Sequence, residues 1–184
     1  MSDAIVAIGV FTDNRQVFDF GLKMWRGRAP ALVYLKSDGA KPVEPVGCGP
    51  AIWGNKGFTP AFVEGLEQET GRDSQHAAMA SSGMVDVAET ARQQGIDLYA
   101  EQAKRMVAAM EYVAQFLPQE NLEFHLHPTG EIAYNEFHNR FGMALPKMTG
   151  VVTKNRPTGV NHHMAWETLT HGDIGSVGLP AVKR

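Results

Sequence analysis

The sequence predicts an all-α protein built from helical hairpins, and three observations carry that expectation. Apolar residues recur at helical spacing in several segments. Capping and stop residues bracket those segments. No series of alternating apolar and polar residues marks out a set of strands. At 184 residues, with 43% hydrophobic and 20% charged residues, the chain is long enough for one sizeable core.

The first element is Ala4 to Phe11, which is apolar on all sides. That pattern suits a helix buried in a larger assembly, so the chain reads as starting inside one. Asp13 is placed to cap the second helix, with Gln16 completing a capping box. Val17, Phe18, Gly21, Leu22 and Trp25 continue it at helical spacing, with an end expected near Arg26-Gly27. From about Arg28 to Phe58 prolines and glycines are dense, which predicts one long loop with an extended piece at 32–35. Trp53 within it either covers a cleft or pins the loop to the core.

The central helical pair is the clearest signal. Ala80, Met84, Val87 and Ala91 mark one face of a helix over about 73–94. Gly95 fits the left-handed position after it. Asp97 can cap a second helix whose stripe is Tyr99, Ala103, Met106, Met110, Val113 and Leu117. Glu101 and Arg105 are spaced for an ion pair on it, and Pro118 stops it. A short turn between two long helices predicts antiparallel packing. A further helix is expected over about 131–141, then a loop after Leu145-Pro146, an aromatic segment at 162–171 and a tail over about 172–184. The whole, residues 1–184, reads as a single helical domain.

Several function classes find no support. A net charge of -3 gives no basic footprint for nucleic acid. No run approaches the roughly 18 apolar residues of a membrane span. Met1 to Ile5 lacks the basic and apolar regions of a signal peptide. Cys48, the single cysteine, forms no internal disulfide and decides no compartment.

Of seven histidines, all but His76 fall in the last third of the chain. Arg72 and His76 lie four residues apart, which places them one turn apart if both are helical. At a helix start they would combine a guanidinium, free backbone N–H groups and an imidazole, a carboxylate receptor beside a proton carrier. Gln68, Glu69 and Gln75 crowd the same region. The alternative is a solvated helix start in which Asp73 pairs with Arg72 and His76 faces water. A second group is Tyr134 with His138 on one helix face, and Asn135 with Asn139 on the neighbouring one. It is either a binding cluster or a polar surface with Tyr134 half-buried. A third is His162, His163, Trp166 and Glu167. Trp166 either stacks on a sugar ring or belongs to the core. Histidine pairs raise the question of metal, including His125-x-His127, yet no zinc-binding spacing is present, so no metal site is expected.

Taken together, these stretches resemble the alginate-lyase-like polysaccharide lyases. The residues Gln68-Glu-Thr-Gly-Arg72-Asp-Ser-Gln-His76 resemble the family's Glu-Thr/Ser-x-Arg-Asp-x-x-His motif. Residues 88–99 resemble the helix-turn-helix that follows it, and 131–146, 156–159 and 166–170 match later segments in order. Val10 to Asp13, continuing to Trp25, also looks like a family helix. The likeness covers nearly the whole chain and places it as a C-terminal portion.

This resemblance implies an incomplete (α/α) toroid around a cleft for an acidic polysaccharide. It implies β-elimination at C5 of a 4-linked uronate. Arg72 would neutralise the C5 carboxylate, and His76 or Tyr134 would move protons. Gln68, Glu69, Asn135, His138, His163 and Trp166 would hold substrate. No cofactor is implied. Relatives are typically secreted or periplasmic. They have a further N-terminal helical half, so this chain is expected to need that half, a partner or a second copy. Many relatives carry a tyrosine six or seven residues after the motif arginine, where this chain has Ala78 and Met79. Three activities therefore compete: an active uronate lyase, a degenerate fragment that binds acidic polysaccharide, and a histidine-rich metal-binding protein.

Overall fold

The computed structural model describes residues 2–45, 61–115, 127–156 and 166–172. Expectations placed on Cys48, Trp53, Leu117, Pro118, His125, His162 and His163 lie outside them. Among the described residues the fold is all-α, with no β-strand beyond one isolated bridge.

Helices α1 (Ser2–Phe11) and α2 (Arg15–Leu32) form a hairpin. They approach closely because Gly9 and Gly21 lack side chains. A Cβ on Gly9 would lie 2.5 Å from the Phe18 backbone nitrogen, and one on Gly21 2.6 Å from Val6. Asn14, and not the expected Asp13, caps α2, accepting from the N–H groups of Gln16 and Val17 at 3.1 Å each. Asp13 instead closes the turn, at φ 50°, a left-handed position that short polar residues tolerate. Burial of α1 is one-sided. Val6 and Gly9 face inward, while Ala4, Ala7, Ile8 and Phe11 form an outward stripe on which Phe11 is 91% exposed.

Helix α2 continues beyond the expected stop, through Pro30 to Leu32. The buried Ala29 and Ala31 hold this last turn in the core, and the Val33 N–H still bonds Ala29 O at 3.2 Å. The extended piece follows as expected: Val33 bridges Glu67, and the Tyr34 N–H donates to Leu66 O at 2.9 Å.

Helices α3 (Ser74–Gln93) and α4 (Leu98–Ala114) form the central hairpin. Gly95 takes φ 81°, and Asp97 accepts from the Ala100 N–H at 3.0 Å, both as read from the sequence. Met84, Val87, Ala91, Tyr99, Met106, Met110 and Val113 are buried, whereas Ala80 and Ala103 are only partly so. The Glu101–Arg105 pair does not form. Glu101 accepts from Arg26 on α2. Arg105 turns inward to the Asp38 carboxylate, at 2.7 and 2.8 Å, and to Val33 O. A buried carbonyl and carboxylate outcompete a solvated partner on the same helix.

Helix α5 (His127–Tyr134) begins earlier than expected and runs into a π-helical turn, Asn135–Arg140. A helix, α6 (Pro146–Lys154), replaces the expected loop. Pro146 opens it, Met148, Val151 and Val152 are buried, and the Glu111 carboxylate accepts from the N–H groups of Lys147 and Met148. The short α7 (Glu167–His171) follows.

The Asp86 carboxyl on α3 is partly buried within electrostatic reach of Asp3 on α1 and Glu167 on α7. Burial, then repulsion from Asp3 and Glu167, raises the pKa of Asp86 to about 6. The folded value exceeds the unfolded one. The linked stability is therefore present at pH 4 and below and is lost as pH rises through about 6. Asp86→Asn should stabilise the fold at pH 7.5 by on the order of 2 kcal/mol and give little gain at pH 4. Urea unfolding at both pH values checks this; an equal gain at both would contradict it.

Candidate functional site

The segment 68–76 divides into two structural parts. Gln68–Gly71 is a 3-10 turn, and α3 starts at Ser74. Between them Asp73 is extended, at φ -173° and ψ 167°. Arg72 is thus not on the helix, and the helical spacing assumed for Arg72 and His76 does not apply. Asp73 also takes the helix start that was expected to receive an anion. Its Oδ1 accepts from the His76 backbone N–H at 2.8 Å.

The same carboxylate holds the His76 ring. His76 Nδ1 lies 2.8 Å from both Asp73 oxygens. A carboxylate only accepts, so Nδ1 carries the proton and the lone pair is on Nε2. Asp73 and His76 are a carboxylate–imidazole dyad within one turn, an arrangement that fixes tautomer and ring orientation. The hydrogen bond from the His76 backbone, then that from its ring, lowers the pKa of Asp73. The expected alternative pairing of Asp73 with Arg72 is replaced by this one. Arg72 is about half exposed and pairs loosely with Glu69, at 3.7 Å. Sequence reading passed over Asp73 as a functional residue. An Asp three residues before a His, at a helix start, is the signal that would have found it.

One turn on stand Ala78 and Met79, the positions at which the resemblance leads to the expectation of a tyrosine. Ala78 is buried in the core, and Met79 is 48% exposed. Only position 79 has space for a phenol.

The second cluster lies elsewhere. The buried Tyr134 stacks on His138, centroids 4.7 Å apart and planes at 22°, as their shared face predicts. The Tyr134 hydroxyl accepts from Thr149 at 3.3 Å, and His138 Nδ1 donates to Met143 O at 3.2 Å. Asn135 Nδ2 donates to His171 O at 2.6 Å, and Arg92 of α3 reaches Glu136 at 3.5 Å. Burial lowers the pKa of His171, which the nearby Glu89 partly opposes. These contacts set the cluster beside Glu89 and Arg92. Glu89 is thirteen residues beyond His76 on α3, about 20 Å at about 1.5 Å per residue. The structure therefore sets Gln68, Glu69 and Arg72 on one turn just before the helix that bears His76, and separately brings together Tyr134 and His138, with Asn135 on the same segment. Trp166 is 59% exposed at the start of α7, so it is not a core residue. Among the described residues, no group of three or more His, Cys, Asp or Glu side chains is arranged to hold a metal ion, and no helix is long and apolar enough to cross a membrane.

A family model described as alginate lyase matches residues 3–124, more than half of the chain. That span contains both central helices and the whole 68–76 segment. The Tyr134 cluster and Trp166 lie beyond it. Neither the curated proteins nor the solved structures contain a match.

Proposed function

The chain belongs to the alginate lyase family, and from that premise we propose that it is a polysaccharide lyase that cleaves 4-linked uronate polymers, alginate or a related polyuronate, by β-elimination at C5. The observation that carries this reading is the Asp73–His76 dyad directly beside the exposed Arg72. A uronate is an acid whose C5 proton is too weakly acidic to leave while the carboxylate keeps its charge. The Arg72 guanidinium neutralises that charge. His76 Nε2 accepts the C5 proton, and the C–H electron pair forms the C4–C5 double bond. The C4–O4 bond breaks with its electron pair going to O4, and O4 takes a proton from water. Asp73 stabilises the imidazolium formed on the way. Gln68 and Glu69 stand on the same turn to hold the sugar.

Tyr134, the other proton carrier implied by resemblance, is toward the far end of α3. In this proposal it supports His138 by ring stacking, and Asn135, His138, His163 and Trp166 hold a polymer that extends beyond the reacting unit. The chain as one domain, 1–184, contributes a C-terminal part of an (α/α) toroid whose remaining wall comes from an N-terminal half or a second copy. Incubation with alginate and with glucuronan, following ultraviolet absorbance of the unsaturated product, tests the activity. Absorbance that rises with neither polymer refutes it.

A second reading is a degenerate, polymer-binding member, favoured by Ala78 and Met79. Met79→Tyr places a phenol on the exposed side of α3, one turn from His76. Its expected effect is a rise in initial rate of about 10²-fold. An unchanged rate would show that position 79 does not serve the reaction.

A further inference from the structure

We infer that Glu67 is a positioning residue of this site: it clamps the 3-10 turn bearing Arg72 onto the helix bearing His76. The inference rests on the proposed lyase reading for its activity arm but not for its structural arm.

Glu67 is 1% exposed and stands immediately before the Gln68–Gly71 turn. The Ser81 hydroxyl on α3 donates to its Oε1. Its backbone bridges Val33, and the preceding Leu66 O accepts from the Tyr34 N–H at 2.9 Å. Val33 O is in turn held by Arg105 of α4. One residue thus connects the turn to α3 through its side chain and to the α2–α4 side through its backbone. Oε2 has no hydrogen-bond partner among the described residues. Among the described residues no cation faces the carboxyl, and burial raises its pKa well above the usual carboxylate range. An isolated buried carboxylate is costly, so the group is held as a neutral acid.

The dyad needs no such clamp, since Asp73 and His76 are joined within one turn. The Arg72 side chain is tied only loosely among the described residues, to Glu69 at 3.7 Å. Its placement relative to His76 follows how the turn is seated on α3, and Glu67–Ser81 is a buried side-chain bond between the two.

A neutral clamp makes a sharp distinction among variants. Glu67→Gln keeps shape and accepting oxygen, so its kcat/KM should stay within about threefold of wild type. Ser81→Ala and Glu67→Ala remove the bond, and kcat/KM should fall at least tenfold at a temperature where circular dichroism shows both fully folded. Ser81→Ala serves where Glu67→Ala does not fold. In the second arm, which needs no substrate, amide NMR signals of residues 68–72 should shift in Ser81→Ala while those of the C-terminal half of α3 stay in place. Folded variants with wild-type kcat/KM and unshifted 68–72 amides would overturn the proposal. So would a Glu67→Gln variant as impaired as Glu67→Ala. If the wild-type protein cleaves no polyuronate, the lyase reading fails alone, and the NMR arm still decides the clamp.

Discussion

His76→Ala should lower kcat/KM on a polyuronate by about 10²–10⁴-fold and leave the thermal midpoint close to wild type. His76 is a third exposed, so its removal leaves no cavity and no buried unpaired group other than those Asp73 can satisfy with water. Arg72→Ala should cost about as much, for a different reason. On the proposed mechanism it removes both the charge that acidifies the C5 proton and a contact to substrate, so KM should rise as kcat falls. Asp73→Asn separates the two duties of Asp73. Asparagine caps a helix as well as aspartate does, so the fold should hold. It brings no negative charge to the imidazolium, so activity should fall between wild type and His76→Ala. Initial rates of unsaturated-product formation, with circular dichroism on the same samples, check all three. His76→Ala at wild-type rate would remove His76 from the chemistry.

The largest stability effect should come from Gly65→Ala. Gly65 has φ 81°, and a Cβ there would lie 2.1 Å from the carbonyl oxygen of Ala108 on α4. The clash is with helix backbone, which cannot step aside as a flexible side chain can. A loss of at least about 3 kcal/mol is expected, read from the urea midpoint. Gly95→Ala is the control. Gly95 has the same φ, 81°, yet a Cβ there meets nothing within 4 Å. It should lose only about 1 kcal/mol, the conformational part alone. Equal losses would mean that the contact with α4 contributes nothing.

That comparison also marks what the sequence could disclose. Gly95 follows a helical stripe and precedes a capping aspartate, so its role is written in its neighbours. The demand on Gly65 comes from Ala108, far along the chain, and no local pattern carries it. The same division runs through the fold. The α3–α4 hairpin and the Tyr134–His138 stack depend on spacing within single helices and were legible. The Arg105 partner was not, because Asp38 and Val33 reach it only through tertiary packing. Helix α6 was partly legible: Pro146 at its start and buried Met148, Val151 and Val152 form a regular signal that the glycine and asparagine around them obscured.

For the candidate site, residue types were readable and geometry was not. Arg72 and His76 stand four residues apart in the sequence motif, but extended Asp73 between them breaks the helical relation that spacing implied. Nor does sequence reveal that α3 separates this group from Tyr134 by most of its length. Glu67 illustrates the limit: on paper it is one acid among twenty Asp and Glu residues, and what distinguishes it is burial without the arginine partner that the similarly buried Glu131 and Glu136 have.

The break at Asp73 has a consequence for engineering the protein. The imidazole and its carboxylate partner are held by the helix, while the guanidinium is carried on a separate short turn. On the proposed mechanism the two parts are separable: exchanging residues 68–71 for those of another family member, with Glu67, Arg72 and Asp73 kept, should change which polyuronate is bound and leave the Asp73–His76 pair in place.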